Sequence, residues 1–299
     1  QAQAQAQAAT VATAQSATAT EESERPHGGT ANSATLQRRL RRKRAARFAR
    51  EAATSFRQAL GAAAPPHPRS AAVDATVLDA EAQVCAALMR DLEVVDEAQA
   101  IAAERLKGAV LRWSFHPSGC RVVQAALELC DVDVAAELLL ELRGFVRRAS
   151  ENKHANFVLA KAVEVLPAEQ VAFIAEELNS FASAAFRHQY GCRIVCRLIE
   201  HAGAIPAMMR LVEAEIAPRA SDLSRHEFAH FVVACALEHG SPGQRGLLAR
   251  ALLDERFTSL AQSRHGSFVL EAVFANCGPE DRREAVGLLR SGADLVHLA

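Results

Sequence analysis

A pattern of about ten residues returns five times along this chain at almost constant spacing. The clearest copy is His116-Pro117-Ser118-Gly119-Cys120-Arg121-Val122-Val123-Gln124-Ala125-Ala126-Leu127-Glu128. The others begin at Asn152, His188, His226 and Arg264. Their small anchor residues are Gly119, Ala155, Gly191, Ala229 and Gly266, separated by 36, 36, 38 and 37 residues. So regular a period means stacked structural repeats, and five copies exceed the minimum of about three that a repeat array needs to stand alone.

Each copy reads as an amphipathic helix. In the first, Val122, Val123, Ala126 and Leu127 fall on one stripe. Cys120, Arg121 and Gln124 fall on the opposite side. Residues at i and i+4 lie one above the other on a helix, with i+1 beside them. Cys120 and Gln124 are therefore placed to grip a flat polar edge, with Arg121 as a stacking plane alongside. The stripe residues Val122, Val123, Leu127, Val158, Val195, Leu198, Val232, Val233 and Val269 are expected to be buried between helices. The small residue at each helix entrance suits a close approach of neighbouring backbone.

Between copies, the pattern predicts one further long helix, over 132–149, 167–186, 205–222 and 242–261. Pro167, Pro206 and Pro242 sit near the starts, where a missing N–H costs little. Half the residues are apolar, aromatics make up only 5%, and Ala is abundant, a mixture that favours helix over strand. Two helices per repeat cannot bury their own apolar faces. The fold class is thus all-α: an α-solenoid of about five motif repeats in a curved superhelix, with a flanking helix at each end. Upstream, Leu78, Val84, Cys85, Leu88 and Leu92 suggest one helix. A second runs from Asp96 to Ser114, with Ile101, Leu106, Val110 and Leu111 on its apolar side. Downstream, Pro279 to Leu298 reads as the first helix of a sixth repeat, so truncation at the C-terminus is expected.

The solenoid is expected over 76–299. Residues 1–33 alternate Gln and Ala and then turn to Thr, Ser, Glu and Gly, a low-complexity composition that cannot offset its ordering entropy. Residues 34–75 combine a basic helix with a Pro-rich linker. The run Arg38-Arg39-Leu40-Arg41-Arg42-Lys43-Arg44 fits a nuclear import signal, an RNA-contacting arm or a solvated helix face. The first residue is Gln rather than Met, the mark of a fragment or a processed chain. Residues 1–76 carry 11 Lys and Arg against 5 Asp and Glu, a balance of +6; residues 77–299 carry the remaining 23 against 30, a balance of −7. A repeat region that acidic is no general polyanion binder, so nucleic acid must find a local basic or stacking surface on it. No run of 18 apolar residues exists to span a membrane.

The seven cysteines sit mostly in apolar helical runs and read as reduced, buried thiols rather than a disulfide framework. His188, Cys192 and Cys196 are one helical turn apart, which makes a metal site conceivable. The helix-face reading is preferred, because no second ligand pair has matching spacing. No metal and no cofactor are expected. Nor is an enzyme: a phosphate-cradling Gly loop and an outstanding Ser/His/Asp arrangement are both missing. His116, His154, His188, His226 and His265 recur near the motif-helix starts through repeat duplication and read as structural.

Gly119-Cys120-Arg121-Val122-Val123-Gln124-Ala125-Ala126-Leu127-Glu128, and nearly as well Tyr190-Gly191-Cys192-Arg193-Ile194-Val195, resemble the motif helix of the Pumilio (PUF) family of RNA-binding repeat proteins. The resemblance covers about residues 95–299. It implies a concave surface lined by motif helices, each repeat reading one base of single-stranded RNA with two side chains on the base edge and one stacking. Carried over, Cys120 and Gln124 read an edge beside the stacker Arg121, a combination that favours adenine in the family. Ser267 and Glu271 beside Phe268 favour guanine. The middle copies depart from the pattern. Asn156 and Phe157 fit, but Ala160 cannot bond an edge. Cys192 and Arg193 fit, but Cys196 is at best a weak donor. His230 is unusual, Phe231 can stack, and Ala234 is mute. The family's antiparallel register then implies a core preference of 5′-G-N-N-N-A-3′. The resemblance implies post-transcriptional regulation of messenger RNA, through its 3′ region, by a cytoplasmic monomer that recruits regulatory proteins; the Arg38–Arg44 basic run, outside the resemblance, adds nuclear entry as an expectation. The alternative is a degenerate protein-interaction scaffold without RNA specificity.

Overall fold

A computed structural model describes residues 75–94, 97–254 and 257–291. Contacts between Cα positions divide the chain after Ala71, and every described residue belongs to the second unit. The low-complexity segment, the basic run with its linker, and the part of the expected C-terminal helix beyond Ser291 lie outside the described residues.

The described residues are helical, with no strand among them. The motif copies form α4 (Gly119–Leu129), α7 (Ala155–Val165), α10 (Gly191–Ala202), α13 (Ala229–His239) and α16 (Arg264–Asn276). Each packs on the next, and α1 (Ala75–Glu93) covers α4 at the N-terminal end of this layer. The stripe drives the stacking. Val122, Val123, Leu127, Val158, Val195, Leu198, Val232, Val233 and Val269 are all at most 2% exposed, as their helix phase requires. They belong to one continuous core that runs from α1 to α17 (Pro279–Ser291).

Three of the four intervals between copies hold two helices each, where one long helix was expected. The pairs are α5 (Val132–Leu140) with α6 (Val146–Ser150), α8 (Ala168–Asn179) with α9 (Ala182–Arg187), and α14 (Pro242–Leu252) with α15 (Phe257–Gln262). The unit is therefore short helix, motif helix, outer helix, and α3 (Val110–Ser114) opens the first. By the same phasing α17 is the outer helix of the fifth unit rather than the start of a sixth. The break between α5 and α6, and that between α2 (Glu97–Leu106) and α3, have a local cause. Gly108 and Gly144 adopt φ of 76° and 81°, the left-handed conformation that ends a helix and that glycine enters without a Cβ clash. A carboxylate from the next outer segment then clasps each turn. Glu141 accepts from Gly108 N at 2.6 Å and Val110 N at 3.0 Å; Glu177 accepts from Gly144 N at 2.7 Å and Val146 N at 3.2 Å. Negative charge at a helix N-terminus is doubly favourable there, satisfying orphan N–H groups and the macrodipole.

The third interval is irregular. α11 (Pro206–Arg210) continues into a π-helix, Leu211–Ile216, then a 3-10 turn, Ala217–Arg219, and α12 (Ala220–Leu223). This is the interval of 38 rather than 36 residues, and a π-turn is how a helix absorbs insertions without losing its packing face. Upstream, α2 (Glu97–Leu106) and α3 replace the single helix expected from Asp96 to Ser114. Leu106 and Val110 are buried, but Ile101 and Val84 are exposed. The expected apolar faces are thus corrected at those two positions: at Ile101 because Gly108 turns the chain between α2 and α3 and changes the helix phase that relates it to Val110, while nothing in the structure explains the exposure of Val84.

Candidate nucleic-acid interface

Each motif helix starts the same way. His116 Nδ1 accepts hydrogen bonds from Ser118 N and Gly119 N at 3.2 and 3.0 Å. His188 Nδ1 does so for Tyr190 N and Gly191 N, and His226 Nδ1 for Phe228 N and Ala229 N. Asn152 Oδ1 and Ser263 Oγ do the equivalent work in the second and fifth copies. The recurring histidines are therefore structural caps, with one correction: His154 and His265 stand two residues after the capping position, which Asn152 and Ser263 hold. The cap fixes the tautomer, because an accepting Nδ1 must be unprotonated. At His116 the opposite nitrogen, Nε2, faces Glu81 Oε2 at 3.3 Å. Burial pushes His188 and His226 below the usual imidazole range, Glu151 opposing at His188 and Arg187 reinforcing at His226.

The small anchor residues are needed for space within the repeat. A Cβ on Gly119 would lie 2.3 Å from Trp113 Cε3, and one on Gly266 would lie 2.3 Å from Leu260 O. The close neighbour is the short helix of the same repeat rather than the adjacent repeat.

Two rows of candidate side chains follow the anchors, and they fare differently. At the first edge position, Cys120, Asn156, Cys192 and His230 are buried to 4% exposure or less, and only Ser267 is exposed. The expectation that all five line the open surface is corrected. This row lies within the packed layer, and its polar groups turn back to the entry loop. Cys120 Sγ donates to Pro117 O at 3.3 Å, Cys192 Sγ to Gln189 O at 3.6 Å, and Asn156 Nδ2 to Asn152 O at 2.7 Å; His230 Nδ1 is 2.9 Å from His226 O. Burial also drives the Cys192 thiol well above its ordinary range, so it stays protonated. His188 caps and Cys192 bonds the loop, so the conceivable His188, Cys192, Cys196 metal cluster does not assemble.

The neighbouring row remains accessible. Arg121 is exposed, Phe157 is 43% exposed, and Arg193, Phe231 and Phe268 are half-buried. The last two form an aromatic cluster across the seam between the fourth and fifth repeats. Phe231 and Phe268 meet edge to face with centroids 5.9 Å apart, and His230 stacks on His265 at 4.6 Å. Such contacts hold ring planes in place.

The second edge position divides the molecule. Gln124 is half-buried with its Nε2 donating to Cys120 O at 2.8 Å, and Glu271 is exposed. Between them Ala160 is half-buried, and Cys196 and Ala234 are buried. Beyond this row, a chain of ion pairs crosses three motif helices: Glu128 with Lys161 at 3.1 Å, Glu164 with Arg197 at 3.0 Å, and Arg197 with Glu200 at 2.6 Å. Mixed-sign pairs at the surface contribute little stability each, but they neutralise basic groups on this face.

A family model described as Pumilio-family RNA binding repeat matches residues 110–143, 150–178, 187–204, 219–253 and 256–286, the units just described. Among curated proteins, the chain is similar to Fem-3 mRNA-binding factor 2 of Caenorhabditis elegans, 25% identical over 178 residues, which are 52% of this chain and 28% of that protein. It is also similar to a putative chloroplastic pumilio homolog 7 of Arabidopsis thaliana, 24% identical over 180 residues, 60% of this chain and 27% of that one. The matches thus span little more than a quarter of these relatives' length. Among solved structures, PUF-8 in complex with PBE-RNA superposes with a TM-score of 0.63 at 21% identity, covering 69% of this chain and 62% of that one. PUF-6 in complex with 5BE13 RNA gives 0.60 at 23%, covering 68% and 60%. These likenesses establish the solenoid fold.

Proposed function

The chain belongs to the Pumilio family of RNA-binding repeat proteins, and from that premise we propose that it binds single-stranded RNA along the motif-helix layer, one base per repeat, as a post-transcriptional regulator of messenger RNA. One observation carries the reading. The residue following the first edge position stays accessible in all five copies, as Arg121, Phe157, Arg193, Phe231 and Phe268, while the row before it is closed in four. A line of guanidinium and phenyl planes on successive helices is a stacking platform. Stacking contributes ~1–3 kcal/mol per base and tolerates any base. Base choice then falls to the ends, where Gln124, Ser267 and Glu271 carry polar groups. The reading extends to 3′ regions of messenger RNA, to recruited regulatory proteins and to a monomeric binder.

A second reading has a specific observation behind it. Four closed edge positions and an acidic repeat region suit a protein-interaction scaffold. Titration of labelled single-stranded RNA across a salt series separates the two. Saturable binding with a negative slope of log affinity on log salt is expected; absence of saturation at low salt supports the scaffold.

A further inference from the structure

Across the seam between the third and fourth repeats, two pairs of side chains face each other at i, i+4 spacing. α10 contributes Cys196 and Glu200, and α13 contributes Cys235 and His239. The two helices pack directly on one another. Residues four apart share a helix face, so each pair points into the same seam. Cys235 Sγ lies 3.5 Å from Cys196 O and 4.0 Å from Glu200 Oε1. Ligand atoms of Glu200, Cys235 and His239 all lie within 4.8 Å of one another.

We propose that Glu200, Cys235 and His239 form a binding site for a divalent transition-metal ion of the zinc class, clamping the third repeat to the fourth. The donor set suits such an ion: one thiolate, one imidazole and one carboxylate, at bonds of about 2.0–2.3 Å, with a fourth tetrahedral position left for water. Tetrahedral bonds of that length put ligand atoms roughly 3.5 Å apart, so small side-chain rotations close the site. Charge balances as well, two anionic ligands meeting a dication. Binding requires the Cys235 thiol to lose its proton to solvent, and the exposed His239 and Glu200 at the rim give the ion a route in. Glu200 Oε2 is held by Arg197 at 2.6 Å, which leaves Oε1 turned towards Cys235 and fixes the carboxylate's orientation. Within a single helix only the Cys235 and His239 pair is visible, because Glu200 stands 35 and 39 residues before them in sequence.

Cobalt(II) serves as the spectroscopic probe, added to the full chain kept reduced without a chelating thiol. One equivalent should bind, with a thiolate-to-cobalt charge-transfer band in the near ultraviolet and tetrahedral d–d bands, and zinc(II) should bleach both. Cys235→Ser should abolish the charge-transfer band, and His239→Ala should weaken cobalt binding at least tenfold. Cys130→Ser, at the end of the first motif helix and far from this seam, should leave the spectrum unchanged. Helical circular dichroism of each variant reports whether it has folded. Wild-type protein giving no charge-transfer band, or a band of full strength in folded Cys235→Ser, overturns the site.

Discussion

The outer repeats and the middle three use the same helix for different ends. In the first repeat, the second edge position is Gln124, and in the last, Ser267 and Glu271 put polar atoms on the surface. In the middle, the equivalent positions are Ala160, Cys196 and Ala234, and the last two are buried in the seam. The stacking row persists throughout. On the proposed reading, platform and readout are separable in this architecture: a repeat without polar side chains at the edge positions keeps its helix, its cap and its accessible planar group. What fills the vacated positions is packing, and between the third and fourth repeats it is a pair of thiols.

The strongest blow to the comparison should come from the packing side. Leu198 is wholly buried in the middle of the array, and Leu198→Ala should cost about 2–5 kcal/mol of stability by denaturant unfolding. A cost well under 1 kcal/mol would mean that the middle seams are not the packed part of the molecule. Next comes the platform. Phe231→Ala should weaken RNA binding by ~1–3 kcal/mol for every sequence alike, read by competition titrations with several RNAs. Loss confined to one base would assign Phe231 a reading role and blur the distinction between ends and middle. A smaller effect should follow from restoring what the second repeat lacks. Ala160→Gln places an amide one turn beyond Asn156 and should add roughly 0.5–1.5 kcal/mol of preference for one base at that register. No change in the selected profile would mean that the closed first edge position, not the missing amide, silences the repeat.

The smallest effect concerns the caps. His188 and His226 must be neutral to accept through Nδ1, whereas Asn152 and Ser263 do not titrate. Their folded-state affinity for protons is lowered by burial, so below about pH 6.5 the unfolded chain binds more protons than the folded one. Stability should therefore be complete above about pH 6.5 and decline as the pH falls from there towards the lowered folded values. His188→Asn keeps a capping acceptor and should flatten part of that decline in thermal melts. An unchanged profile would remove His188 from the pH response.

Much of this was readable beforehand, and the reasons for the exceptions are physical. The repeat period, the buried stripe and the small anchors all survive, because each is a local consequence of helix phase and the constant spacing of the copies. The break between α2 and α3 was hidden in Gly108 and that between α5 and α6 in Gly144, whose positive φ makes them turns rather than helix interiors. Their partners, Glu141 and Glu177, lie 33 residues on, beyond any local window. The site was half readable. A helical wheel puts Cys120 and Arg121 on the same polar side, but it has no knowledge of the neighbouring helix, which covers the first and spares the second. For the same reason the i, i+4 spacing of Cys235 and His239 on one helix does not reveal Glu200, which comes from the neighbouring one.

The measurement that bears most directly on the division between reading ends and a silent middle is a randomised-RNA selection on wild type and on Gln124→Glu. Wild type should enrich guanine and adenine four positions apart, as 5′-G-N-N-N-A-3′, with no enrichment between them. Gln124→Glu should move the 3′ preference from adenine towards guanine, because a carboxylate only accepts, whereas an amide both donates and accepts. A wild-type profile with no enriched position, or one that Gln124→Glu leaves unchanged, would contradict the account.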